Sequence, residues 1–201
     1  RAEALTELRV LIGAGRLLTL VGPGGVGKTR LAAAAAAEQH LPDGVHLVEL
    51  AGLPAGDTRV AEQVLGALGL HEAPGVSADA TDRLVAALEQ RATLLVLDNC
   101  EHVVAPAAAL VARLLRDAPG VRILATSREP LLLAGEQVWE VSPLALPADP
   151  DDLDAVRRSA AARLFAARAA AQQRGFRLDD RTGPAVAQLC RRLDGLPLAL
   201  E

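Results

Sequence analysis

Three features predict an α/β domain whose parallel sheet is covered by helices on both faces, a doubly wound three-layer fold. Short apolar runs alternate with helical patterns of about a dozen residues, the rhythm of right-handed strand–helix–strand crossovers. A glycine cluster joins the first run directly to an alanine-rich helix former. Two later runs, 94–97 and 123–125, stop abruptly at polar residues, as strands do at the edge of an open sheet.

In chain order, Ala4, Leu5, Leu8 and Leu11 fall at helical spacing and predict a short amphipathic helix over 3–12. The run 16–21 is the first strand, followed by the glycine cluster and a helix from Lys28 through Glu38. Pro42-Asp43-Gly44 turns the chain into a second strand, 45–50. Helical patterns occupy 58–69 and 79–90, separated by a Pro74-Gly75 break. The third strand, 94–97, ends at Asp98; a helix over 106–117 and the Pro119-Gly120 turn lead to the fourth strand, 121–125, and a short fifth lies around 138–141.

Pro143, Pro147 and Pro150 mark a connector, so the reading is a sheet domain over 1–145 and a helical domain over 151–201. In the latter Leu153, Val156, Ala160, Leu164, Ala167 and Ala171 form one apolar stripe, with Asp151, Asp152 and Asp154 at its start, where the helix dipole favours negative charge. A second helix covers 184–194: Val186, Leu189, Cys190 and Leu193 repeat at helical spacing, Pro184 suits the first turn and Gly195 the position after the end.

Composition narrows the function classes. A chain of 201 residues buries roughly 70% of its unfolded surface, enough for one α/β domain and a small appendage. Its residues are 51% hydrophobic but only 1% aromatic, so the core is aliphatic and base stacking has no platform. A net charge of −4 opposes direct nucleic-acid contact by this segment. Cys100 and Cys190 are too few for a disulfide framework, which suits a cytoplasmic setting. No apolar stretch is long enough to span a membrane. There is no Met, even at position 1, and the sequence reads as a segment of a longer protein whose helical domain is incomplete.

The glycine cluster carries the chemistry. Gly22-Pro23-Gly24-Gly25-Val26-Gly27-Lys28-Thr29 fits G-x-x-x-x-G-K-[ST], the phosphate-binding P-loop, and stands between a strand and a helix as that motif requires. Glycines let the loop wrap a pyrophosphate closely enough for successive backbone N–H groups to point inward, and the helix adds its positive N-terminal end. Lys28, the only lysine in the chain, is placed to bridge β- and γ-phosphates, and the Thr29 hydroxyl to join the oxygen shell of Mg²⁺. Asp98, at the end of an apolar strand, is the second expected Mg²⁺ partner.

Asn99 follows where a water-activating acid often stands, and an amide cannot take a proton; slow hydrolysis is the expectation, with Glu101 or His102 as substitutes or merely a polar helix start. Arg128, just past the fourth strand, is placed to sense a γ-phosphate. His40, His46, His71 and His102 show no metal-ligand spacing. Two other readings stay open: a P-loop kinase or other phosphotransferase with Arg157 and Arg158 on a lid, and a nucleotide-stabilised interaction module without hydrolysis.

In order, GPGGVGKTR at 22–30, LLVLDNCEH at 94–102, ILATSRE at 123–129 and GLPLALE at 195–201 resemble the NB-ARC group of signal-transduction (STAND) ATPases, across nearly the whole chain. The LDNCEH and ATSRE variants look most like the ATPase modules of large bacterial transcriptional regulators of the antibiotic-regulatory (SARP) and large LuxR types. The resemblance implies a P-loop NTPase sheet of the ASCE type, with the fourth strand between those bearing Lys28 and Asp98, and a helical ARC1-like domain. It implies an ATP/ADP switch with weak Mg²⁺-dependent hydrolysis that controls activation and homo-oligomerisation of the parent protein, DNA being reached through other domains. By the same resemblance Gly22, Gly24, Gly25, Val26, Gly27, Lys28, Thr29 and Arg30 hold nucleotide, Thr29 and Asp98 the metal, Lys28, Asp98 and Arg128 act in hydrolysis, Pro197 packs on the adenine, and Arg1 lines base and ribose.

Overall fold

The computed structural model describes residues 2–70 and 79–201, so Arg1, His71 and the Pro74-Gly75 break lie outside the described residues. The chain divides into two compact units: one runs to Gly22 and from Lys28 to Glu140, the other joins Pro23–Gly27 with Val141–Glu201.

The first unit is built on β1 (Leu17–Val21), β2 (Val45–Glu49), β3 (Thr93–Asp98), β4 (Val121–Ser127) and β5 (Gln137–Glu140). All neighbours pair in parallel, in the order β2–β3–β4–β1–β5. This is the predicted parallel α/β sheet, with β4 between β1 and β3. The central strands are near-continuous runs of Leu, Val and Ile because both faces are covered.

Alternate side chains serve opposite layers. Leu17, Leu95, Leu97, Ile123 and Ala125 join a core with α3 (Val60–Ala67), α4 (Ala80–Leu88) and α5 (Val104–Asp117). The intervening Leu18, Leu20, Leu94, Val96 and Leu124, also buried, face the other way, where α1 (Ala2–Ala14) and α2 (Lys28–Ala36) meet the sheet. Arg16 fastens the end of α5: its guanidinium donates to the carbonyls of Leu115 (2.7 Å), Ala118 (2.7 Å) and Val121 (3.1 Å).

The helical unit departs from the single stripe expected after 153. Two helices occupy that stretch, α6 (Leu153–Arg158) and α7 (Ala160–Gln172). Ser159 divides them with extended backbone (φ −68°, ψ 139°); its hydroxyl donates to the Val156 carbonyl at 3.0 Å and accepts from the Ala162 amide at 3.2 Å. A serine that caps one helix ends the other, and the apolar spacing across it conceals the break. Ala167 and Ala171 are consequently exposed, and the buried face of α7 starts at Ala161 and Ala162. These pack with Val156 and with Val186, Ala187 and Cys190 of α8 (Gly183–Arg192) and with Leu200 of α9 (Pro197–Leu200). Phe165 and Phe176 meet edge to face at 6.1 Å beside this core. α8 ends at Arg192, short of the expected 194, and Asp194 (φ 50°) and Gly195 (φ 64°) both turn left-handed beyond its cap at Leu193.

Candidate functional site

Each residue of the first unit's polar cluster arrives at the carboxyl end of a strand or the start of a helix. Lys28 and Thr29 open α2, immediately after the loop that leaves β1. Asp98 ends β3, and Thr126 stands at the same level of β4, since Leu97 pairs with Ala125. The loop needs its glycines: Gly25 and Gly27 take φ 76° and 95°, a left-handed conformation that turns successive amides to one side. The same loop is tied to the start of α9, where the Leu198 amide donates to the Gly25 carbonyl at 3.1 Å.

The cluster is closely bonded. Thr29 Oγ1 donates to the Asp98 carboxylate at 2.8 Å to Oδ1, and Thr126 Oγ1 donates to Oδ1 at 2.6 Å. Thr126 in turn accepts from the Asn99 amide at 2.9 Å. Lys28 Nζ donates to the Gly22 carbonyl at 2.8 Å. Lys28 and Asp98 are each 8% exposed. Burial pulls the Lys28 ammonium below the ordinary lysine range; Arg128 adds to this, while Glu101 and Asp98 oppose it.

This donor set suits a nucleotide phosphate with a hard divalent cation. Thr29 and Asp98 offer oxygen ligands within hydrogen-bond distance of one another, the donor chemistry Mg²⁺ takes, and a buried ammonium beside the glycine loop gives a polyanion its countercharge.

Beyond β3 the backbone turns sharply. Asn99 is left-handed (φ 67°, ψ 50°) and leads into a 3-10 turn, Cys100–His102. That turn presents the Glu101 carboxylate to Arg128, whose Nε donates to Oε1 at 3.3 Å. The Asn99 side-chain nitrogen reaches the same carboxylate at 3.0 Å to Oε1. The opposite amide orientation puts that nitrogen 3.3 Å from His102 Nδ1 but sets the amide oxygen against the carboxylate, so the first orientation is favoured. His102 Nε2 lies 2.9 Å from the Leu50 carbonyl, a structural bond rather than a metal one.

Of the predicted site residues, Gly22, Lys28, Thr29, Asp98 and Arg128 belong to the sheet unit. Arg30 is exposed on α2, and Arg128 is also exposed. Gly24, Gly25, Val26 and Gly27 cluster with the helical unit, where Pro197 starts α9. Arg157 donates to the Leu178 carbonyl at 2.9 Å, and Arg158 approaches Asp152 at 3.6 Å. One residue of the cluster, Thr126, has no role in the sequence reading; it becomes a polar residue level with Asp98 once the strand order is known. Glu101, a candidate water-activating acid from sequence, is set against Arg128 by the turn at Asn99.

The profile of the AAA domain matches residues 12–139, the greater part of the chain. The chain belongs to the AAA domain family. This is a family of P-loop ATPases, and the parallel sheet with its glycine loop is the fold expected of it. The AAA domain here is 43% identical over 194 residues to a Mycobacterium tuberculosis protein named "Putative HTH-type transcriptional regulator Rv0890c", covering 96% of this chain and 20% of that protein. It is 40% identical over 203 residues to an uncharacterized protein of the same species, covering all of this chain and 48% of that one. The chain thus spans less than half the length of these relatives. Among solved structures it resembles Cdc6p of Pyrobaculum aerophilum (TM-score 0.60, 16% identity, 100% of this chain and 59% of that chain). It also resembles a STAND protein with a tetratricopeptide repeat sensor from Pyrococcus horikoshii (TM-score 0.55, 16% identity, 97% and 28%). At such identities the likeness is one of fold. Among the described residues no helix is long and apolar enough to cross a membrane.

Proposed function

We propose that this AAA domain is the nucleotide-operated switch of a larger transcriptional regulator of the STAND kind, binding ATP or ADP with Mg²⁺ and hydrolysing ATP slowly. The observation that carries the reading is the Thr29–Asp98–Thr126 cluster beside buried Lys28, at the strand ends next to the glycine loop. In it Lys28 and the loop amides hold the phosphates, Thr29 and Asp98 hold the cation, and the cation offsets charge that develops on the phosphoryl oxygens. Arg128, exposed at the end of β4, is the γ-phosphate sensor, and Pro197 is the adenine contact.

Regulation of transcription is supported by the name of the mycobacterial relative and by the four NB-ARC-like motifs. In such a protein, bound ADP keeps the molecule closed and exchange for ATP permits opening and self-association in the cytoplasm. Two measurements test the reading. Denatured protein should release ADP or ATP, identified by chromatography. By calorimetry, Lys28→Ala should abolish Mg²⁺–ATP binding with the fold intact; unchanged affinity in that variant defeats the proposal.

A further inference from the structure

The edge of the sheet opposite Asp98 and Thr126 carries a second polar feature. A cleft of about 440 Å³ opens where β1, β3 and β4 begin, between the 39–42 stretch that follows α2 and the 119–120 turn that precedes β4. That turn lies against the start of β3 because residue 120 is glycine: a Cβ there would collide with the Arg91 carbonyl oxygen. Arg16 and Arg122, both half-buried, line the cleft together with His40, and no carboxylate does.

The two guanidiniums are held in place but not neutralised. Arg16 donates only to the three backbone carbonyls at the end of α5, and Arg122 donates at 3.1 Å to the Ile12 carbonyl in the last turn of α1. Each thus meets a helix C-terminus, whose half charge offsets only part of a full cationic one. Neither forms an ion pair with a carboxylate among the described residues. Three of the five N–H groups on Arg16 are used in this way and one of the five on Arg122, so donors remain on both.

We propose that this cleft binds a small organic anion through a carboxylate or phosphate group, apart from the nucleotide site. Fixed guanidiniums present forked N–H pairs that match such oxyanions, and a cleft holding two cations and no acid concentrates positive potential. The chain as a whole carries a net charge of −4, so that potential is local to the cleft. Its volume is of metabolite size rather than that of a bare ion, and Leu41, Pro42 and Pro119 offer apolar surface to a carbon skeleton. Ala92 and Arg122 precede Asp98 and Thr126 by most of a strand's length, about 13–20 Å, so one anion cannot occupy both sites.

Calorimetric titration of the full chain with citrate and with inorganic phosphate, at an ionic strength held constant with NaCl, tests the site. Each titration is repeated on Lys28→Ala, the variant that should empty the glycine loop. Saturable binding of at least one probe should persist in Lys28→Ala, and the tighter of the two names the group preferred. Arg122→Gln, which keeps a donor for the Ile12 carbonyl and loses the charge, should weaken that binding by about tenfold or more. His40→Glu changes an exposed side chain that the fold does not need, and the added negative charge should weaken binding by about threefold or more, which keeps the test valid if Arg122→Gln misfolds. The proposal is overturned if neither probe binds saturably, if binding vanishes in Lys28→Ala, or if the folded variants bind as the parent does. A chain that binds citrate but no ATP defeats the switch reading and leaves this site standing.

Discussion

The strands of the sheet change character along their length. Through the middle of β3 and β4, Leu94, Leu95, Val96, Leu97, Ile123 and Leu124 are aliphatic and essentially fully buried. One to three residues further on, Asp98, Thr126 and Ser127 are also buried but polar. Aliphatic burial stabilises the fold by roughly 25 cal/mol per Å². Polar burial at best recovers its desolvation cost through hydrogen bonds. The interior of the sheet therefore supplies the stability that the strand ends use to hold a charged cluster out of water.

Substitutions should separate these roles. The largest effect on stability is expected in the interior: Leu95→Ala should lower the unfolding free energy by about 2–5 kcal/mol in denaturant titration, with ATP affinity of the folded protein retained. Thr126→Val should have a smaller effect, about 1–3 kcal/mol, because the valine leaves the Asn99 backbone N–H without its acceptor and removes one of the two hydroxyls that donate to Asp98 Oδ1; it should also weaken Mg²⁺–ATP binding. Asp98→Asn should change stability by no more than about 1 kcal/mol, since it removes a buried charge and keeps an oxygen that can accept from both threonines. Its signature is functional, with calorimetric ATP affinity no longer responding to Mg²⁺. If Asp98→Asn proved the most destabilising of the three, the division between interior and strand end would fail.

Cys100, fully buried at the border of the two regions, tests the same division without a substitution. Burial first, then the charges of Asp98 and Glu101, push its thiol up to about 12. A raised thiol pKa leaves less thiolate in the folded state, so at pH 8 alkylation, followed by mass spectrometry, should proceed on the order of a thousandfold more slowly than in unfolded chain. Fast native labelling would mean that the end of β3 opens far more often than its packing suggests.

Much of this was legible because the sequence has contrast where the sheet is. Apolar runs stopping at Asp98 and Thr126, and a glycine cluster ahead of Lys28, mark strand ends without ambiguity. Contrast is missing in the helical unit, where alanine occupies several faces of α7 at once, so spacing alone chose Ala167 and Ala171 over Ala161 and Ala162. The break at Ser159 was hidden because a capping hydroxyl and an exposed helical serine read alike. Glu101 was visible as an acid near the site, but its direction depends on one left-handed residue, and a dihedral angle leaves no periodic trace.

The bond between the Gly25 carbonyl and the Leu198 amide has a consequence for how such sequences can drift. A Cβ at position 25 would stand 2.8 Å from the Leu198 Cβ. The middle of the glycine loop is thus constrained by a neighbour more than 170 positions away as well as by the left-handed turn it makes. Every residue but glycine carries a Cβ, so a change at 25 is admissible only with glycine at 198 or with a shift of the backbone at one of the two positions, which ties the two positions together. Shuffling this loop between homologous genes without the stretch around 198 should yield misfit chimaeras even where the phosphate-binding letters are identical.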